Sequence, residues 1–182
     1  MDGSRIILKV DKPSSPPESD KSSKLYWGPL VWRMLHLLAE VSDRRDIPLL
    51  WPQLMRLTSG VLPCEACRHH LATYLRTHNF MKVKNPHLIT GAEVKVQARN
   101  ELIAFHNDVN KRLGKPEFSQ ADYERIYITK TRGEQLFEVQ KLYDEIKVIW
   151  NSLTPSRIVP VAYTSWKTHV NMMLALLAAG SL

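Results

Sequence analysis

Apolar residues at helical spacing run through most of this 182-residue chain and leave little room for other secondary structure. In the segment 26–41, Leu30, Met34, Leu37, Leu38 and Val41 recur at steps that place side chains on one face of an α-helix. Valine-rich alternating runs, which would indicate strands, are nearly absent. The sequence therefore predicts an all-α fold.

The same spacing, together with glycine and proline breakers, predicts the other helices. They are expected at about 52–59, 64–76 and 93–113, after Ser119, after Gly133, and over 166–180. The helix after Gly133 carries an apolar stripe that we expect to pack against the domain or against another subunit: Leu136, Val139, Tyr143, Ile146 and Trp150. The last helix contains an apolar run far shorter than the ~18–20 residues of a membrane span.

Composition divides the chain into three parts. Residues 1–24 are rich in proline, serine and charge and are predicted to be a flexible tail without a secretory signal, which favours a cytosolic protein. Residues 25–130 are predicted to be the functional domain, and 131–182 a helical extension that could mediate dimerisation. The net charge of +7 comes from basic residues interleaved with acids, which favours a solvated surface over nucleic-acid binding.

The two cysteines, Cys64 and Cys67, form a CxxC pair at the start of a predicted helix. Residues three apart share a helix face and are close enough for a disulfide, and a helix N-terminus stabilises a thiolate. Redox chemistry is therefore the favoured interpretation. A zinc site is the alternative, but it needs two more ligands, for which the sequence offers only histidines: His69, His70, His78 and His87.

A second motif, FHNDVNKRLGKPEF, spans 105–118. His106 and Asn110 share one face near a helix end and can hydrogen-bond a heteroaromatic ring, while Lys115 can meet a phosphate. Trp32 and His36 also share a face, on the first helix. An isolated histidine or asparagine would be an ordinary polar helix end, but the whole string after a CxxC indicates a ligand site.

In this order, WxxxH, CxxC and HNxVNxxLGKPxF resemble the Erv/ALR family of FAD-linked sulfhydryl oxidases, over about 26–127. The strings WGPxxWRxLHLxA and LPCxxCxHHxxxYL are most like the versions encoded by large cytoplasmic DNA viruses. The resemblance implies a compact bundle of four or five helices that binds FAD, followed by the C-terminal helical extension. A homodimer is also expected, because the apolar faces of the C-terminal helices could pack against a second copy.

The resemblance also assigns roles to individual residues. Cys64 would exchange disulfides with the substrate, and Cys67 would lie against the flavin. The residues expected to bind FAD are Gly28, Trp32, His36, His106, Asn107, Asn110, Leu113, Lys115 and Tyr127.

The implied activity is disulfide formation in a dithiol protein substrate or a thioredoxin-like carrier, with O2 as acceptor and hydrogen peroxide as product. Since the chain has no second cysteine pair to act as a shuttle, electrons would pass directly from the partner to Cys64. A viral origin would place the enzyme in the host cell cytoplasm, forming disulfides in virion proteins. The alternatives are a zinc-binding module and a degenerate family member that serves as a scaffold.

Overall fold

A computed structural model describes residues 22–83 and 88–180. The tail predicted over 1–24 lies almost wholly outside the described residues. Within them the chain forms seven α-helices and no strand, so the predicted all-α class is confirmed. The helices are α1 Lys24–Glu40, α2 Trp51–Val61, α3 Glu65–Thr77, α4 Gly91–Arg112, α5 Gln120–Tyr123, α6 Arg132–Leu153 and α7 Pro160–Ala178. A 3-10 turn, Ile47–Leu49, precedes α2, and a π-helical turn, Glu124–Ile128, continues α5.

Capping residues explain where the helices begin. Ser23 caps α1 by accepting a hydrogen bond from the Leu25 amide at 3.2 Å, so this helix starts before the predicted Gly28-Pro29 boundary and carries Pro29 inside it. Thr90 with Glu93 and Thr131 with Glu134 form reciprocal capping boxes at the starts of α4 and α6.

The last helix is longer than predicted. Pro160 is its first residue, six positions before the expected start, because proline has no amide hydrogen to lose at that position and its fixed φ suits a helix. The expected break over 154–160 is therefore a short loop that ends where α7 begins.

The helices share one hydrophobic core. Helix α1 packs against α4 and α6, while α2 packs against α3 and α7. The predicted stripe of α6 faces this core, with Val139, Tyr143, Ile146 and Trp150 buried. The Trp166 indole N–H of α7 donates to the buried Thr58 hydroxyl of α2 at 3.1 Å. The two C-terminal helices therefore cover the outer faces of α1 and α2 within the same chain.

A buried polar network joins α1, α4 and α5. Both carboxylate oxygens of Glu40 accept hydrogen bonds from the Arg99 guanidinium, at 2.7 and 2.8 Å. The Tyr123 hydroxyl also donates to Glu40, at 2.7 Å, and lies 3.1 Å from the His36 carbonyl oxygen. A charged carboxylate is tolerated here because each of its oxygens is paired. The network fixes the end of α1, and with it the side chain of His36.

Candidate active site

The redox-capable pair lies at the N-terminus of α3. Cys64 is the N-cap residue, its sulfur accepts a hydrogen bond from the Cys67 amide at 3.2 Å, and the two cysteines form a disulfide with Cα atoms 5.1 Å apart. Each is partly buried. The helix dipole and free amide groups at this end favour a thiolate once the bond is reduced.

Arg68 joins the cysteine segment to the C-terminal helices. Its guanidinium donates to the carbonyl oxygen of Leu62, at 2.8 Å, and to that of Arg157, at 3.2 Å. Arg157 belongs to the loop between α6 and α7. The positive charge of Arg68 thus stays beside the pair, because its two acceptors are neutral carbonyls.

A cleft of about 540 Å³ opens beside Cys67, within the usual size range of small-molecule sites. Its walls come from α1, α3, α4, the end of α2 and the segments that follow α2, α4 and α5. Most of the lining is apolar or aromatic. The predicted site residues that line it are Gly28, Trp32, Cys67, His106, Asn110, Leu113, Lys115 and Tyr127.

Stacked rings build one wall of the cleft. The rings of Trp32 and His106 are parallel within 7° at a centroid distance of 4.1 Å. Behind them, His36 is fully buried, and its Nε2 lies 3.0 Å from His106 Nδ1. His36 is therefore absent from the lining but supports a residue that belongs to it.

Burial keeps both histidines neutral. Desolvation, with the neighbouring His106, lowers the pKa of His36 to about 3. Desolvation, with the charge of Lys115, lowers the pKa of His106 to about 4. Among the described residues, His36 Nδ1 has no hydrogen-bond partner. An unpaired buried N–H is rarer than an unpaired acceptor, so we place the His36 proton on Nε2, which leaves the Nε2–H of His106 free to donate to a ligand.

Two asparagines hold the loop after α4 in place. The Asn107 side chain accepts from the Phe118 amide at 2.7 Å and donates to the Phe118 carbonyl at 3.1 Å. The Asn110 side chain donates to the Pro116 carbonyl at 3.1 Å, and the Asn110 carbonyl accepts from the Lys115 amide at 2.9 Å. Asn107 does not line the cleft; it positions Phe118, which does.

The rim of the cleft is basic. Lys24, Arg33, Arg112 and Lys115 line it, and none of its described lining residues is Asp or Glu. Arg33 is paired with Glu138; the other three form no ion pair among the described residues. Tyr127 is buried on this wall, and desolvation raises its pKa to about 12, so its hydroxyl stays protonated. An apolar interior with a cationic rim fits a ligand that has an aromatic ring system at one end and phosphates along its length, as FAD does.

Sequence reasoning missed several lining residues because they are ordinary apolar residues: Trp27, Val31, Leu62, Leu71, Phe105, Phe118 and Ile126. Arg112 and His70 were also missed as cleft residues. His70 had a usable signal, since it follows Cys67 by three positions on the same helix and so shares its face.

The ligands that a zinc site would need do not come together in the described part of the chain. No group of three or more His, Cys, Asp or Glu side chains is arranged there to hold a metal ion, and His87 lies outside the described residues. Within 22–83 and 88–180, no helix has both the length and the apolar content needed to cross a membrane.

Fold and site together define a helical protein with a redox-capable cysteine pair beside an apolar, basic-rimmed ligand cleft. Comparison with known families agrees: residues 29–128, more than half of the chain, match the Erv1/Alr family. The chain belongs to the Erv1/Alr family, as its motifs predicted.

The chain is also similar to viral proteins. It is 37% identical over 106 residues to the FAD-linked sulfhydryl oxidase of African swine fever virus, in a pig isolate from Kenya and a tick isolate from Malawi; the match covers 57% of this chain and 81% of each relative. A protein of Invertebrate iridescent virus 6 is 33% identical over 93 residues, covering 50% of this chain and 81% of that protein. No solved structure matches the chain significantly.

Proposed function

We propose that this protein is an FAD-dependent thiol oxidase that forms disulfide bonds in protein substrates through Cys64 and Cys67. Membership of the family and the activity named for its viral relatives confirm the predicted class of enzyme, a thiol oxidase. One geometric observation carries the rest of the proposal. Cys67 lines the cleft and Cys64 does not, so one cysteine of the pair belongs to the ligand site and the other lies outside its lining.

This arrangement gives the two sulfurs different tasks. A substrate thiolate attacks the Cys64 sulfur, the disulfide opens, and Cys67 is released as a thiolate on the cleft side. The second substrate thiol then displaces Cys64, which leaves the substrate oxidised and both enzyme thiols reduced. The helix N-terminus and Arg68 favour the thiolate form throughout.

The residues present fit FAD. We expect Trp32, His106 and Tyr127 to enclose its ring systems, and Arg112 and Lys115 to meet its phosphates. Bound FAD supplies a two-electron acceptor for the reduced cysteine pair and a route from there to O2, with hydrogen peroxide as product. His36, Asn107 and Asn110 act through the residues that they hold in place.

The remaining expectations stay predictions. Disulfide formation in virion proteins in the host cell cytoplasm is supported by the viral origin of the matched relatives. A dithiol substrate or a thioredoxin-like carrier is supported by the position of Cys64, which lies outside the cleft lining and is only partly buried. The predicted homodimer, and the division into a domain over 25–130 and an extension over 131–182, are for sedimentation and limited proteolysis to decide.

The test is an absorption spectrum and an oxygen-consumption assay on the purified chain with dithiothreitol. We expect a yellow protein with a flavin band and dithiol-dependent oxygen uptake. Cys67→Ser should keep the flavin but lose turnover, and Cys64→Ser should lose turnover with protein dithiols and oxidise dithiothreitol more slowly than the wild type. Ala72→Ser, an exposed change on the same helix, is the control and should behave like the wild type. Oxidation of dithiothreitol at the wild-type rate by either cysteine variant would contradict the assignment, and a colourless protein would refute the proposed cofactor.

A further inference from the structure

His70 is a polar residue in the cleft wall that the proposed function leaves without a role. Its Nε2 lies 2.7 Å from an Asp108 carboxylate oxygen, so the contact joins α3 to α4. The His70 side chain is 17% exposed and that of Asp108 is 43% exposed. Because a carboxylate accepts, the proton of a neutral His70 ring resides on Nε2, and Nδ1 is left as an acceptor.

The position of His70 on α3 brings it to Cys67. The two residues are three apart in the helix and therefore share a face, and both line the same cleft. Helical side chains lean toward the N-terminal turn, which here is the turn that holds Cys67. The His70 ring also lies 6.0 Å from that of Phe105, on the α4 side of the cleft. His70 is thus held by a carboxylate on one helix, and on its own helix it shares a face and a cleft wall with Cys67.

We propose that His70 is the proton acceptor for the Cys67 thiol and that Asp108 positions it. This inference rests on the proposed function and deepens it. In the transfer, the S–H bond of Cys67 breaks, an N–H bond forms at His70 Nδ1, and no atom changes its oxidation state. Once a substrate has opened the disulfide and Cys67 has taken a proton from solvent, this transfer returns Cys67 to the thiolate, and the resulting imidazolium stabilises it. Asp108 compensates the charge of the ring in that state.

Other charges also act on this sulfur. The α3 N-terminus and the adjacent Arg68 favour the thiolate, and several titratable or charged groups line the same cleft: Lys24 and Arg33 from α1, His106 and Arg112 from α4, Lys115 from the following loop, and Tyr127 after α5. A useful test therefore changes His70 alone and keeps all of these groups.

The test titrates the Cys67 thiol in the full chain. In a Cys64→Ser background Cys67 is the single thiol, so its iodoacetamide alkylation rate against pH reports its pKa, with or without flavin. Adding His70→Gln should raise the half-maximal pH by about one unit or more, since an opposite charge at short range has an effect of that size. Adding His69→Gln, a change at the exposed neighbour, should leave it in place. Asp108→Asn should give a smaller rise, and it covers the case in which His70→Gln fails to fold.

A second readout uses the enzyme with both cysteines. We expect His70→Gln to lower kcat with little change in KM for dithiothreitol, and the loss to shrink as pH rises toward the ~8.5 of an unperturbed thiol. Equal half-maximal pH values for the His70→Gln and His69→Gln proteins would overturn the proposal. If the wild type neither binds FAD nor oxidises dithiols, the proposed function fails, yet the alkylation titration still decides whether His70 acts on Cys67.

Discussion

The rings of His36 and His106 are neutral, and a positive charge on either ring would destabilise the aromatic wall of the cleft. His36 is fully buried, and its ring contacts Tyr123 edge-on at 5.2 Å and Tyr127 at 5.1 Å. Protonating it would place a charge beside His106 and the basic rim without a carboxylate partner. Protonation of either ring is therefore unfavourable, which is why the pKa values of both rings are lowered.

Acidification should therefore destabilise the fold through these two rings. In the unfolded chain both take up protons near pH 6.5, whereas in the fold they do so only at about pH 3 and about pH 4. The stability that they contribute is complete above pH 6.5 and is lost as pH falls toward the folded-state values. Between pH 7.5 and 5.5 each should lower the free energy of unfolding by about 1.4 kcal/mol.

Urea denaturation of the wild type and His36→Phe at both pH values, followed by circular dichroism, tests this expectation. The phenylalanine removes one titrating group and keeps a ring in the wall, so the variant should lose less stability on acidification. His69→Gln, at an exposed position, should lose as much as the wild type. A wild type with equal stability at pH 7.5 and 5.5 would show that these rings do not have the lowered pKa values.

The sequence predicted the role of some site residues better than that of others. Trp32, His106 and Lys115 stand at motif positions, and the structure puts all three in the cleft. Asn107 was expected to contact the ligand, but its side chain binds the backbone of Phe118 instead. Nothing in one sequence distinguishes an asparagine that binds a ligand from one that fixes the loop beside it, because both need the same amide group.

Among the helices, α4 begins in unusually close contact with another segment. A Cβ atom built on Gly91, its first residue, would lie 1.8 Å from the Asp43 carbonyl oxygen. Arg132 of α6 also contacts the turn that holds Asp43. Its guanidinium donates to the Asp43 carboxylate at 3.1 Å and to the Leu177 carbonyl at 2.8 Å. The starts of α4 and α6 and the end of α7 thus meet at the turn after α1.

Gly91→Ala should destabilise the protein, although alanine favours helices more than glycine does. The added methyl group meets backbone, which cannot rotate away, and overpacking of this kind costs about 2 kcal/mol or more. Gly133→Ala is the matched control in the first turn of α6, where a Cβ meets nothing within 4 Å; it should be neutral or stabilising by about 0.5 kcal/mol. Thermal unfolding of both variants measures the difference. Equal melting temperatures for the two would mean that the Asp43 contact is looser than described.

Helix boundaries were predictable where the sequence carries a boundary residue. The predicted end of α4 at Leu113 agrees with the structure within one residue because Gly114, at φ 64°, adopts the left-handed conformation that ends the helix. The predicted end of α2 at Ser59 is wrong, since the helix continues through Gly60 to Val61. Glycine only weakens a helix interior, and the Ala162 Cβ of α7 lies 4.0 Å from a Cβ built on Gly60. The helix therefore continues past Gly60 where it packs against α7, a tertiary contact that one segment read alone does not reveal.

In the whole molecule, the two C-terminal helices lie beyond the family match, which ends at residue 128, yet belong to the same core. Their pattern predicted amphipathic helices but left open whether the apolar stripe faced this chain or a second copy. The spacing of apolar residues identifies which face of a helix is buried, but it does not identify the element that covers that face. In the structure α6 packs against α1, which carries Trp32 and His36. Helix α7 packs against α2, which precedes the cysteine pair.

A chain that ends at residue 131 should therefore not fold, even though it contains the whole family match. Removing α6 and α7 exposes the faces of α1 and α2 that they cover and leaves the Thr58 hydroxyl without its Trp166 partner.

In the full chain, Trp166→Ala should lower the free energy of unfolding by about 3–5 kcal/mol, because it truncates a buried aromatic side chain. Val161→Ala, on the same helix but 72% exposed, should stay within about 0.5 kcal/mol of the wild type. Circular dichroism of the shortened chain and urea denaturation of the two variants make the measurement. A shortened chain that unfolds cooperatively and binds FAD would prove that the family core is self-sufficient and that α6 and α7 are an added layer.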